Sequence, residues 1–135
     1  MELHRDIRAA VVAHARFCYP NEACGLLAVD GAGALRMAYC CTNVEQSPVS
    51  YTVDATEHLR AMVHAERNGW ALGGVFHSHT HSPAHPSRTD VARALEPEWL
   101  YVLVSLEDPD DPDVRAYWIR EGTITEEPLV LGGTP

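Results

Sequence analysis

Residues 73–90 read Gly73-Gly74-Val75-Phe76-His77-Ser78-His79-Thr80-His81-Ser82-Pro83-Ala84-His85-Pro86-Ser87-Arg88-Thr89-Asp90. The apolar run from Ala71 to Phe76 predicts a strand that delivers two histidines spaced i, i+2. Strand side chains at that spacing share a face and lie roughly 7 Å apart, so His77 and His79 can converge on one divalent ion. The chain then turns through Ser82, Pro83 and Pro86. It re-enters regular structure at Ser87, with a short helix expected to Leu95 and ended before Pro97. Asp90 falls in the first turn, where its carboxylate can swing back toward the histidines. Two His and one Asp leave a fourth tetrahedral position open for water, which marks a catalytic rather than a structural zinc site.

Each part has a simpler account. Ser87 and Asp90 fit a capping box, Ser at the N-cap and an acid three residues on, and taken alone that explains the pair. An H-x-H pair by itself is a weak metal signal, and a histidine-rich loop can bind metal loosely without catalysis. The candidate proton acceptor, Glu22, lies in Tyr19-Pro20-Asn21-Glu22-Ala23-Cys24-Gly25 just before an apolar strand-like run. The residues alone leave it equally open as an exposed loop acid.

Working outward, apolar positions Leu3, Ile7, Val11, His14 and Cys18 recur at helical spacing. Gly25–Val29 and Leu35–Cys41 read as strands about the Asp30-Gly31 turn, and Val49–Val53 as a short strand. Asp54 to Glu57 reads as a capping box opening a helix with Leu59, Met62 and Val63 inward and Asn68-Gly69 as its stop. Trp99–Ser105, Val114–Ile119 and Thr123–Val130 complete the strands. Helices interrupting a mainly antiparallel sheet place the chain in the α+β or α/β class.

The order Glu22, His77-Ser78-His79, seven residues, Ser87-x-x-Asp90 resembles the JAMM motif of MPN-domain metallopeptidases, and all five functional positions are present. The resemblance implies an α+β (α/β-type) fold, a curved, mixed, mainly antiparallel sheet flanked by helices. It implies that His77, His79 and Asp90 bind one zinc ion with a bound water. Glu22 would hold that water and shuttle its proton, and Ser87 would donate a hydrogen bond to the developing oxyanion. The chemistry is consistent: zinc lowers the pKa of water toward about 7 and polarises a carbonyl, and a nearby carboxylate can relay the proton to a leaving amine.

The resemblance extends beyond the motif. The segments NEACGLL, TNVEQSPVSYTVD, HSHTHSPAHPSRTDV, YVLVSLEDP and GTITEEP are most similar to the small bacterial JAMM peptidases of the Mec type. In that group the substrate is a ubiquitin-like sulfur-carrier protein whose C-terminal Gly-Gly carries cysteine through an amide bond. A metallopeptidase or isopeptidase releasing cysteine from such a carrier is therefore the expected function. Alternatives are a deconjugase acting on lysine side chains, a non-catalytic MPN scaffold, and a RadC-like protein. The last usually carries DNA-associated helices ahead of the motif, and none is legible here.

At 135 residues there is room for one hydrophobic core, read as a single domain over 1–131 with 132–135 a flexible tail. A net charge of −9 argues against a nucleic-acid partner. All ten basic residues are Arg. No apolar run is long enough to span a bilayer, and the charged N-terminus lacks a signal-peptide core, so a cytoplasmic location is expected. Cys18, Cys24, Cys40 and Cys41 lack the spacing of a zinc ribbon and are expected to be reduced thiols, with Cys40 and Cys41 on opposite strand faces. Cys24, two residues from Glu22, raises a cysteine-nucleophile reading, ranked below the metal reading because nothing local activates it. The run Glu107–Asp113 lacks the Gly and terminal Glu of an EF-hand loop and reads as a hairpin connection. His81 and His85 read as solvated loop residues. The oligomeric state is not legible in the sequence.

Overall fold

Successive strand residues face opposite ways, and along Val75-Phe76-His77-Ser78-His79 this alternation separates two layers of the interior. The structure, a computed structural model, describes residues 1–133. Its elements are β1 (Glu2–His4), α1 (Arg5–Cys18), β2 (Cys24–Val29), β3 (Leu35–Cys41), α2 (Ala55–Arg67), β4 (Ala71–His79), α3 (Arg88–Arg93), β5 (Leu100–Ser105), β6 (Asp113–Arg120), β7 (Thr123–Glu127) and β8 (Val130–Gly132). Six strands form one sheet in the order β3-β2-β4-β5-β6-β7, and β1 and β8 form a separate pair. Within the six only β4 and β5 are parallel; the other neighbours are antiparallel. This is the mixed, mainly antiparallel sheet with flanking helices expected of the α+β class.

On one face of the sheet Leu27, Phe76, Val102 and Val104 pack with Ile7, Val11 and Ala15 of α1. On the other, Val75, Tyr101, Leu103 and Tyr117 pack with Ala84 and with Val91 of α3, while Leu26 and Cys41 meet Ala61 of α2. Phe76 is fully buried, which is worth about 1.5–3 kcal/mol. A Cβ at Gly25 would collide with the Phe76 ring and the Tyr39 carbonyl, so glycine there lets the ring lie across β2. Phe76 thereby sets the register of β4. A one-residue slip would turn His77 and His79 into the α1 layer.

Several expectations need correction. Residues 2–4 form β1 rather than the start of a helix; Leu3 is buried, but as a strand residue. β4 runs on through His79, so both histidines lie within the strand and not beyond its end. The segment 49–53 is not a strand. Only an isolated bridge joins Val53 to Asn43, because the Asn43 side chain takes up the backbone groups of Glu45, Ser50 and Thr52. In α2, Leu59, Met62 and Val63 are 55%, 38% and 37% exposed, while Ala61 and Ala65 are buried. The helix lies close against the sheet on small residues, and the larger ones face outward. Asp54 caps α2 by accepting the Glu57 N–H, but the Glu57 carboxylate reaches Thr42 instead of returning to the cap. α3 ends at Arg93, two residues short of Leu95. Gly132, read as tail, pairs with His4 in the β1–β8 ladder; residues 134 and 135 of that tail lie outside the described residues. Among the described residues no helix is long and apolar enough to cross a membrane.

Candidate active site

His77 and His79 sit at the C-terminal end of β4, 2% and 5% exposed, with ring centroids 5.1 Å apart. Asp90 arrives from the first turn of α3. Ser87 Oγ accepts the Asp90 N–H at 3.1 Å, and Asp90 Oδ2 accepts the Ser87 N–H at 2.9 Å, a reciprocal capping box. Capping and ligation are therefore not competing readings. The cap fixes the rotamer that aims Asp90 at the histidines: Oδ1 lies 3.2 Å from His77 Nε2, and Oδ2 lies 2.9 Å from His79 Nε2.

The three side chains offer ligand atoms that all lie within 4.8 Å of one another. His79 Nδ1 is 2.8 Å from the Pro83 carbonyl, to which it can only donate. In the neutral ring Nε2 then carries a lone pair that faces a carboxylate oxygen, and the approach needs a proton or a cation between them. Neither ring nitrogen of His77 has a hydrogen-bond partner, although both are buried. Burial holds its pKa below the ordinary value and favours the neutral, ligating form. For His79, burial is outweighed by Asp90 and the Pro83 carbonyl, which raise its pKa. For Asp90, burial is likewise outweighed by the facing imidazoles, and the carboxyl stays well below the usual range. Two neutral imidazoles and one ionised carboxylate are a donor set that fits a divalent ion.

Glu22 belongs to the loop between α1 and β2 and is 5% exposed, not an exposed loop acid. Its Oε1 is buried without a partner. Burial pushes its carboxyl up to about 7, with His79 opposing and Asp90 assisting the shift. Glu22 and Ser87 line one open cleft of about 520 Å³, together with Pro48, Val49 and Thr80. Ser87 spends a lone pair on the helix cap, so its O–H remains free to donate.

Some of the supporting residues carried no signal in the sequence. Ser78, between the two histidines, faces the α1 layer and is fully buried. Its hydroxyl accepts the Ala23 N–H at 2.8 Å and pins the loop carrying Glu22 to β4. Asn43 Nδ2 donates to the Glu22 carbonyl at 3.0 Å. Tyr51 stacks on His77 at 4.5 Å with 23° between planes. A polar residue closing an apolar run is the one sequence hint for Ser78; Asn43 lies in the segment that reads as a loop, and Tyr51 in the segment 49–53 that reads as a strand and is not one.

Cys24 is fully buried and lies opposite His77 in the β2–β4 ladder. Burial pushes its thiol up to about 12, which removes the thiolate a nucleophile needs. As expected, Cys40 is exposed and Cys41 buried. His81 is tied on both sides, to Thr80 Oγ1 at 3.0 Å and Tyr19 Oη at 3.1 Å, and His85 lies edge-on to Tyr117. Neither joins the His77–His79–Asp90 grouping.

A family model described as prokaryotic homologs of the JAB domain matches residues 4–120. The chain belongs to this JAB, or JAMM/MPN, family. The CysO-cysteine peptidase of Mycobacterium tuberculosis is 42% identical over 128 residues, covering 94% of this chain and 88% of that protein. The desampylase of Haloferax volcanii is 34% identical over 111 residues, covering 78% and 80%. Among solved structures, protein DSY2949 from Desulfitobacterium hafniense has a TM-score of 0.88 at 36% identity, covering 98% of this chain and 92% of that one. The chain thus shares most of its length with a CysO-cysteine peptidase and a desampylase, and its fold with protein DSY2949.

Proposed function

We propose that this protein is a zinc-dependent hydrolase that cleaves the amide bond after the C-terminal Gly-Gly of a ubiquitin-like sulfur-carrier protein and releases cysteine. The observation that carries the reading is the joint placement of Glu22 and Ser87 in one cleft beside the His77–His79–Asp90 cluster. The 42% identity to a CysO-cysteine peptidase supports the substrate class.

His77, His79 and Asp90 would hold the ion. When bound, it supplies Lewis acidity that lowers the pKa of an attacking water and polarises the scissile carbonyl. Glu22 accepts the proton of that water and returns it to the leaving amine. Its carboxyl near 7 suits both halves of the transfer. Its partnerless, buried Oε1 is free to face the reacting atoms. The Ser87 O–H donates to the carbonyl oxygen as negative charge develops there, a contribution typically worth about 3 kcal/mol. The open cleft of about 520 Å³ has room for an extended Gly-Gly tail beside Glu22 and Ser87.

The test is mass spectrometry of a Gly-Gly-Cys-terminated carrier incubated with the metal-loaded protein. Loss of the cysteine mass is the expected result, and an unchanged carrier would defeat the assignment. The desampylase relative favours a second reading, removal of a modifier from lysine side chains. The same assay with a lysine-linked conjugate separates the two by their relative kcat/KM.

A further inference from the structure

The loop from Asn43 to Val53 touches both halves of the site, and two side chains outside the site hold it there. Arg93, the last residue of α3, donates from a single Nη1 to Glu45 Oε2 at 2.9 Å and to the Tyr51 carbonyl at 3.1 Å. Glu45 also accepts from Thr52 Oγ1 at 2.5 Å and Ser50 Oγ at 2.8 Å. One carboxylate thereby knots the far side of the loop and ties it to α3, the helix that Ser87 caps and that carries Asp90. The loop meets the site at two other points. The Tyr51 ring stacks on His77. Glu22 is gripped through its backbone, its carbonyl by Asn43 Nδ2 at 3.0 Å and its N–H by the Ser47 carbonyl at 2.8 Å.

We propose that Arg93 and Glu45 are positioning residues: their contact closes the 43–53 loop onto α3 and, through Asn43 and Ser47, sets Glu22 at its working distance from the His77–His79–Asp90 cluster. The inference rests on Glu22 being the proton acceptor. Arg93 and Glu45 are 52% and 27% exposed, and exposed pairs of this kind add little to stability. Their value lies in geometry. Proton transfer needs heavy atoms within about 3 Å, and a misplacement of about 1 Å costs up to about 10²-fold in rate.

Three variants test this with the metal-loaded protein and a Gly-Gly-Cys-terminated ubiquitin-like carrier. Arg93→Met should lower kcat roughly 10- to 100-fold, with KM and metal stoichiometry unchanged and Tm moved by no more than about 4 °C. Because one nitrogen makes both bonds, Arg93→Lys should recover most of the rate. In a Glu22→Gln background, Arg93→Met should cost nothing further, since the residue it positions is already disabled. A readout independent of activity is amide exchange in the metal-free protein. The Val44 and Thr52 amides, bonded across the loop, should lose protection in Arg93→Met and keep it in Arg93→Lys. An unchanged kcat in Arg93→Met, unchanged exchange, or a full additional loss in the Glu22→Gln background would each overturn the proposal. Normal turnover by Glu22→Gln with Arg93 intact would instead defeat the functional reading itself, so the two failures are distinguishable.

Discussion

Ser78 and Ala23 exchange two hydrogen bonds: the Ala23 N–H donates to Ser78 Oγ at 2.8 Å, and the Ser78 N–H donates to the Ala23 carbonyl at 3.0 Å. The residue between the two candidate metal ligands thus anchors the residue next to the candidate proton acceptor. Ser78→Ala would leave a buried N–H without its side-chain acceptor, costing about 1–3 kcal/mol. Chemical denaturation should show that loss. Turnover should fall as well, with metal content unchanged. A variant as stable and active as the parent would remove Ser78 from the scaffold of the site.

Metal content is the second prediction. The purified protein should hold about one zinc per chain, and a strong chelator should abolish hydrolysis reversibly. His77→Ala, His79→Ala and Asp90→Ala should each lose both metal and activity, measured by elemental analysis and the cleavage assay. Asp90→Ala also breaks the capping box, so its melt should fall by an extra amount of about 1 kcal/mol. Full zinc occupancy in Asp90→Ala would strike that residue from the ligand set.

Glu22→Gln should keep its zinc and lose roughly 10²–10⁴-fold in kcat. Its pH behaviour gives an independent check in the metal-free protein. The folded carboxyl titrates near 7, above its ordinary 4.5, so the folded state binds the proton more tightly than the unfolded chain. Stability is therefore lost as pH rises from about 4.5 through 7, and acidification back across that window recovers it. Compared with wild type, Glu22→Gln should melt higher at pH 8, and the gap should close by pH 5. A gap that widens on acidification would contradict the burial described for Glu22.

Ser87→Ala separates a cap from an oxyanion donor. Loss of the cap alone would appear as about 1 kcal/mol in the melt. Loss of the donor would appear as a roughly 10²–10³-fold drop in kcat in protein that is still folded. Both are expected, and a melt-only effect would confine Ser87 to capping.

Cys24→Ala should retain most of the turnover rate, and alkylating agents should leave the folded enzyme active, because burial keeps the thiol protonated. Loss of turnover with zinc still bound would revive the thiol as a nucleophile.

Much of this arrangement is legible in the sequence. The strand carrying His77 and His79, the helix start at Ser87 and the layer of α1 all follow from period and capping, which are local properties. The errors are equally physical. Apolar character points Leu59, Met62 and Val63 inward, yet α2 docks through Ala61 and Ala65, and the separation of helix and sheet is not encoded in periodicity. The segment 49–53 is no strand because the Asn43 side chain, reaching across the loop to Ser50 and Thr52, satisfies the backbone that a ladder would use. β8 escaped notice because its partner, β1, lies at the other end of the chain.

The spacing points to His77, His79 and Asp90, since an i, i+2 pair on a strand and an N3 acid on a capped helix have directions fixed by backbone geometry; Glu22 and an oxyanion role for Ser87 come only through the resemblance to the JAMM motif. Whether those directions meet was a matter for the packed chain. Convergence of the cluster required Phe76 to fix the register of β4, and the burial of Glu22 required Ser78, Asn43 and Ser47 to hold a loop against the sheet. Those contacts join residues 21 to 55 positions apart. They form only when the whole core closes, because each depends on distances that no local preference of the backbone can set.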